Sequence, residues 1–213
     1  MDAINKYIDH TNLKPFATKE DIAKLCEEAD KHHFASVCVN PYYVKLASEL
    51  LEDSSTKVCT VIGFPLGQNT TEIKVNETKK ALEDGCDEFD MVINVGALKD
   101  NKLDFVLEEI KQVVLAANGK TVKVIIETGL LTKEEIITAT CLTCKAGAHF
   151  VKTCTGVSKG IATVEDVKLM KEHISGNTQI KASAGIKDKE TAISLINAGA
   201  SRIGTSSGVE IIK

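Results

Sequence analysis

A (β/α)8 barrel is the fold class the sequence predicts, and three observations predict it. Short β-branched runs alternate with helical patterns along the chain, as parallel βα units require. Eight such runs begin about every 28 residues, the length of one strand with one helix. No composition break or low-complexity tract interrupts them, so residues 1–213 read as a single α/β domain.

The strands are expected at 7–11 (YIDHT), 36–40 (SVCVN), 57–63 (KVCTVIG), 88–95 (EFDMVINV), 121–128 (TVKVIIET), 149–155 (HFVKTCT), 179–185 (QIKASAG) and 202–206 (RIGTS). Between them, NKLDFVLEEIKQVVLAANG sets Leu103, Val106, Leu107, Ile110, Val113 and Val114 at three- and four-residue spacing, and Gly119 stops the helix. Thr132 with Glu135 has the pattern of a capping box, and Thr18, Thr163 and Asp188 are candidate N-caps of three other helices. Gly85, Gly119, Gly147 and Gly199 each stand just before a strand, where a left-handed glycine ends the preceding helix. Eight strands with seven intervening helices suit a closed barrel near the lower size limit of that fold. The alternative is a doubly wound open sheet, which normally carries a glycine-rich loop after its first strand; NLKPFA has no glycine there.

With 43% hydrophobic and 26% charged residues, the composition is that of an ordinary globular protein. A net charge of −4, no tryptophan and only three tyrosines argue against nucleic acid as a partner. The N-terminal MDAINKYIDHTN lacks a signal-peptide pattern, and no apolar stretch is long enough to span a bilayer, so a cytosolic location without membrane contact is expected. Seven cysteines, an odd count scattered through helices and strands, suit reduced thiols. Cys141 and Cys144 form one CxxC inside a helical stretch with no second pair, which favours packing over zinc. His32 and His33 end a helix and read as partly exposed side chains rather than ligands.

Three ionisable residues interrupt runs otherwise fit for burial: Lys152 in VKTCTG, Lys181 in QIKASAG and Asp90 in DMVIN. A single such lysine reads first as a solvated edge residue, because lysine is seldom buried without a partner. Two lysines on adjacent strands with an aspartate on a third point instead to a lined pocket at the C-terminal end of a barrel. Two confined ammonium groups repel, which frees one neutral amine to attack a carbonyl and form a Schiff base. An aspartate beside them can carry protons. IGTSSG and SAGIKD, on adjacent strands, supply the amides and hydroxyls that barrels use for phosphate, although each loop alone is equally an ordinary glycine turn.

The ordered motifs IDHT, SVCVNP, TVIGFPLG, EFDMVINVG, KVIIETGLL, FVKTCTG, IKASAGI and RIGTSSG cover nearly the whole chain, and together they resemble the deoxyribose-phosphate aldolase family. The resemblance implies a lyase that reversibly cleaves 2-deoxy-D-ribose 5-phosphate to D-glyceraldehyde 3-phosphate and acetaldehyde, without metal or other cofactor, in deoxyribose phosphate catabolism. It implies that Lys152 forms the Schiff base, that Lys181 lowers the pKa of that amine, and that Asp90 transfers protons. Asp9 and Cys38 would support the pocket, and Thr155, Gly156, Gly185, Ser206 and Ser207 would bind the substrate phosphate. Glu127, at the end of the fifth strand, is a lesser candidate for proton transfer. Ala184 departs from the family's double glycine, and the terminal tyrosine of some members has no counterpart before Lys213. A homodimer is the expected assembly. Two other readings stay open: a phosphosugar epimerase or isomerase whose lysines only bind substrate, and a silent barrel that senses a phosphosugar.

Overall fold

The computed structural model of the chain describes residues 4–213. Eight parallel strands pair each with the next, and β8 pairs with β1, closing the barrel. In chain order the elements are β1 (Ile8–Asn12), α1 (Lys19–Lys31), β2 (Ser36–Val39), α2 (Val44–Leu50), β3 (Lys57–Ile62), α3 (Thr71–Glu83), β4 (Glu88–Val92), α4 (Val95–Lys99), α5 (Leu103–Ala116), β5 (Thr121–Ile125), α6 (Lys133–Lys145), β6 (Phe150–Lys152), α7 (Val164–His173), β7 (Gln179–Ser183), α8 (Lys189–Ala198), β8 (Arg202–Thr205) and α9 (Gly208–Ile212). The open-sheet alternative is thereby ruled out.

Local chemistry sets the helix ends. Thr18 and Thr132 each form a complete capping box, with Asp21 and Glu135, and Thr163 and Asp188 accept from Asp166 N and Thr191 N. Gly85, Gly119, Gly147 and Gly199 all have positive φ, from 76° to 124°, as helix-terminating glycines should.

The strands are shorter than the β-branched runs suggested, mostly at their C-terminal ends. The predicted strand 88–95 stops at Val92, because the Asn94 side chain accepts from Ala97 N and starts α4, a helix beyond the seven expected. The predicted strand 149–155 keeps only Phe150–Lys152; Thr153 makes a last contact with the neighbouring β7, through its N–H to Lys181 O and its hydroxyl to Ser183 O. Backbone that leaves the sheet early is what builds loops at this end of the barrel.

The apolar core lies between strands and helices, not inside the barrel. Outward residues such as Val37, Val124, Val151 and Ile180 pack against helix faces such as Ile22, Leu25, Cys26 and Ala29 of α1, which recur at helical spacing. Burying each such aliphatic side chain contributes roughly 1.5 to 3 kcal/mol. Inside the barrel the apolar filling is thin: Cys38, Cys59 and Val61 form one small cluster under Leu13 and Phe64.

One polar clamp crosses the outer core. Lys74 of α3 is fully buried and spends its three donors on Gly67 O at 2.9 Å, Val92 O at 2.8 Å and Glu109 Oε1 at 2.8 Å. Glu109 sits in the apolar stripe predicted for α5, and its other oxygen accepts from Asn94 N at 3.1 Å. The β3–α3 loop is thus tied to the end of β4. Gly67 cannot carry a side chain, since a Cβ there would lie 2.0 Å from Ile93 O. Lys74→Met, which strands the Glu109 carboxylate, is expected to destabilise the fold by about 3 to 5 kcal/mol in urea unfolding, whereas Lys74→Met with Glu109→Leu recovers most of the loss.

Candidate active site

Strand alternation and parallel register turn Asp9, Asp90, Lys152 and Lys181 to the barrel interior. Lys152 pairs with Lys181 across β6 and β7, and Asp90 pairs with Lys123 across β4 and β5. Asp90 is the hub. Its Oδ2 accepts from Lys152 Nζ and from Lys181 Nζ, each at 2.7 Å, and its Oδ1 accepts from Lys123 Nζ at 2.8 Å. Lys181 Nζ also lies 2.5 Å from Asp9 Oδ2 as an ion pair off the hydrogen-bond direction, so that oxygen has no directional donor. Asp9 Oδ1 accepts from Arg202 Nη1 at 2.6 Å and from Ser36 Oγ at 2.7 Å. Glu88 completes the chain between Lys123 (2.7 Å) and Arg202 (3.1 Å).

These contacts set the protonation states. Burial pushes the Asp90 carboxyl up, but Lys123, Lys152 and Lys181 together outweigh it and hold the group well below the usual carboxylate range. Asp9 follows the same balance, with burial opposed by Arg202, Lys181 and Lys123. Burial lowers Lys181, yet Asp9 and Asp90 raise it further and keep it an ammonium. Four basic side chains, Lys123, Lys152, Lys181 and Arg202, face three acidic ones, Asp9, Glu88 and Asp90. One basic group has no carboxylate of its own.

Above this network a cavity of about 690 Å³ opens at the C-terminal ends of the strands. Lys152 reaches it; Lys123 and Lys181 are 0% exposed, whereas Lys152 keeps 3%. Asp9, Cys38 and Asp90 lie beneath, fully buried. Thr155, Gly156, Gly185, Ser206 and Ser207 all line the cavity. The amides of Gly156, Gly185 and Ser206 donate to no group among the described residues, which leaves them for a ligand. Thr155 differs: its N–H and hydroxyl both donate to the buried Glu127 carboxylate, at 3.2 and 2.6 Å, so its polar hydrogens are already engaged. Cys154, beside Lys152, meets Thr128 Oγ1 at 3.3 Å and packs against Gly160, within the loops rather than the amine network.

Two non-glycine residues hold left-handed backbone here, Glu127 at φ +59° and Ala184 at φ +83°. Such conformations cost about 1 to 3 kcal/mol each. Ala184 O accepts from Ala162 N at 3.0 Å, which ties the β6 and β7 loops together. The methyl of Ala184 faces Gly156, where an added Cβ would stand 3.5 Å away.

Sequence reasoning missed Lys123, Glu88 and Arg202. Lys123 carried the signal that exposed Lys152, a cation in the β-branched run TVKVIIET; the other two begin their strands and carried none. It also missed Lys14 and Lys187, which reach the cavity rim from loops. The half-buried Cys141 and Cys144 lie outside the barrel interior on α6, and no helix among the described residues is long and apolar enough to cross a membrane.

The DeoC/LacD family aldolase model matches residues 3–213. The chain belongs to that aldolase family. It is 58% identical over 210 residues to a deoxyribose-phosphate aldolase of Bdellovibrio bacteriovorus, covering 99% of this chain and 96% of the relative. A solved structure described as "QR15, an Aldolase" superposes with a TM-score of 0.95 at 46% identity, covering 100% of this chain and 95% of that one. The deoxyribose phosphate aldolase of Aeropyrum pernix, described as tetrameric, superposes with a TM-score of 0.92 at 34% identity, covering 98% and 89%. The match spans all eight strands of the aldolase barrel, so the motifs that suggested the family sit in its framework.

The folded-state pKa values of Asp9 and Asp90 lie below their unfolded values near 4, so their stabilisation is full above about pH 5 and is lost as pH falls below it. Lys181 is raised, so its contribution is full below the unfolded lysine value near 10.4 and fades only in strong alkali. Urea unfolding across pH should show a plateau that drops on the acid side. Asp9→Asn should make the acid limb shallower by about 1.4 kcal/mol per pH unit; an unchanged limb would show that the pairings are not formed.

Proposed function

We propose that the chain is a deoxyribose-phosphate aldolase whose nucleophile is Lys152. The observation that carries the proposal is the position of this amine: it is the one lysine of the buried network that reaches the cavity, and its only carboxylate oxygen is shared with Lys181. If Lys152 gives up its proton, three cations remain against three carboxylates, and the network is balanced. Lys181 cannot serve as well, because Asp9 and Asp90 both hold its charge.

The reaction follows from that amine. Lys152 Nζ attacks the aldehyde carbon of open-chain 2-deoxy-D-ribose 5-phosphate, and loss of water leaves a protonated imine. A base removes the proton from the hydroxyl on the third carbon. The bond between the second and third carbons then breaks, its electron pair moving toward the iminium nitrogen. D-glyceraldehyde 3-phosphate leaves, and an enamine stays on Lys152. Protonation of the enamine carbon and hydrolysis of the imine release acetaldehyde and restore the amine. Asp90, an anion touching both lysines, relays protons between Lys152 and the Lys181 ammonium. Glu127 is a weaker candidate for this work, since both its oxygens face Thr155. The free amides at Gly156, Gly185 and Ser206, with the Ser206 and Ser207 hydroxyls and the Lys187 ammonium, suit the phosphate at the opposite end of the substrate.

Incubation with acetaldehyde and borohydride, followed by mass spectrometry of the digest, should find one reduced adduct, on the peptide holding Lys152. Lys152→Arg should give none, because guanidinium stays protonated. An adduct on another lysine, or turnover by the arginine variant, overturns the assignment, and binding without any turnover favours the phosphosugar sensor. The assembly is part of the same reading: a homodimer rather than the tetramer described for the Aeropyrum pernix relative, to be read as a sedimentation mass near twice 23.0 kDa.

A further inference from the structure

Beneath the cavity, Cys38 of β2 and Cys59 of β3 are direct register partners, so both thiols point into the barrel side by side. Their sulfurs and one Asp90 carboxylate oxygen lie within 4.8 Å of one another, and Cys59 Sγ is 3.3 Å from Asp90 Oδ1. Both thiols are fully buried. Leu13 and Phe64 pack against them and also line the cavity.

We propose that Cys38, Cys59 and Asp90 form a site for a thiophilic divalent cation of the zinc and cadmium class, and that an ion bound there silences the enzyme. It is an inhibitory site, not a cofactor site.

The donor set fits such an ion. Paired strands run about 4.8 Å apart, so register partners hold their side chains side by side. Two bonds of about 2.3 Å meeting near the tetrahedral angle separate their sulfurs by about 3.8 Å, a span that thiols on register partners can take up. A carboxylate oxygen is a zinc ligand at about 2.0 to 2.2 Å, so Asp90 can supply the third bond.

Charge also balances. The ion brings two positive charges, and each thiol loses one proton to solvent as its sulfur bonds the metal. The barrel keeps the net charge it had. The cost falls on Lys123, which lies 3.3 Å from Cys59 Sγ and must release Asp90 Oδ1 while keeping Glu88 at 2.7 Å. With Asp90 drawn to the ion, the carboxylate that Lys152 and Lys181 share is no longer in place between them.

Cadmium titration of the Cys141→Ser, Cys144→Ser protein tests the site with the half-buried CxxC thiols removed. One ion per chain should bind, with a thiolate-to-metal charge-transfer band in the near ultraviolet and two protons released. Aldolase activity should fall in parallel and return with EDTA. Adding Cys59→Ala, or Cys59→Ser if the alanine variant folds poorly, should abolish the band and raise the half-inhibiting concentration more than about tenfold relative to that variant's own untreated activity. The proposal fails if no band appears, or if band and inhibition survive loss of Cys59. Band and proton release are read without turnover, so they stand apart from the assignment of Lys152.

Discussion

A single carboxylate organises the interior of this barrel. Asp90 holds three ammonium groups on two oxygens, each at 2.7 to 2.8 Å, with no exposure to water. Removing ions from water costs several kcal/mol each, so such a cluster persists only where every charge finds a partner. Asp9, Glu88 and Arg202 extend it for that reason: Arg202 and Lys123 tie the lower ends of β8 and β5 to carboxylates on β1 and β4. Even the packing obeys it. Gly204 has no side chain where a Cβ would stand 3.0 Å from Lys181 Cε, which keeps that lysine's reach to Asp90.

An interior given to charge contributes little net stability, so the outer layer must supply it. The long run of buried Val, Ile and Leu residues between strands and helices does so, while the barrel interior keeps only the small cluster at Cys38, Cys59 and Val61. The division leaves the upper loops under tension. Glu127 and Ala184 hold left-handed backbone, and both are pinned, Glu127 by Thr155 and Ala184 by Ala162. Lys74 and Glu109 do the same for the loop bearing Phe64, from the far side of β3 and β4. Loops that line a cavity stay in place because buried polar groups behind them leave few alternatives.

Much of this was legible in the sequence where the signal was local. Thr18, Thr132, Thr163 and Asp188 cap helices, and four glycines end them, because each of those geometries depends on a few neighbouring residues. Period-two alternation turned Lys152, Lys181 and Asp90 inward, and together they suggested a site. Strand ends were less legible, since a strand stops where a side chain caps the next helix, as at Asn94, which accepts from Ala97 N. Glu109 was illegible for a related reason: its place in an apolar stripe is explained only by Lys74, 35 residues away. Lys123 was legible and overlooked, and Glu88 and Arg202 needed the closed register before either could be seen to face inward.

The charge count sets apart the lysine that looked misplaced in VKTCTG. Lys123, Lys181 and Arg202 each contact at least two carboxylates. Lys152 has a single contact, to an oxygen Lys181 already uses. The same residue is the lysine of the network that reaches the cavity. Lys181 shares with Lys152 the Asp90 oxygen that both contact at 2.7 Å, so the two lysines meet through one carboxylate rather than by proximity alone.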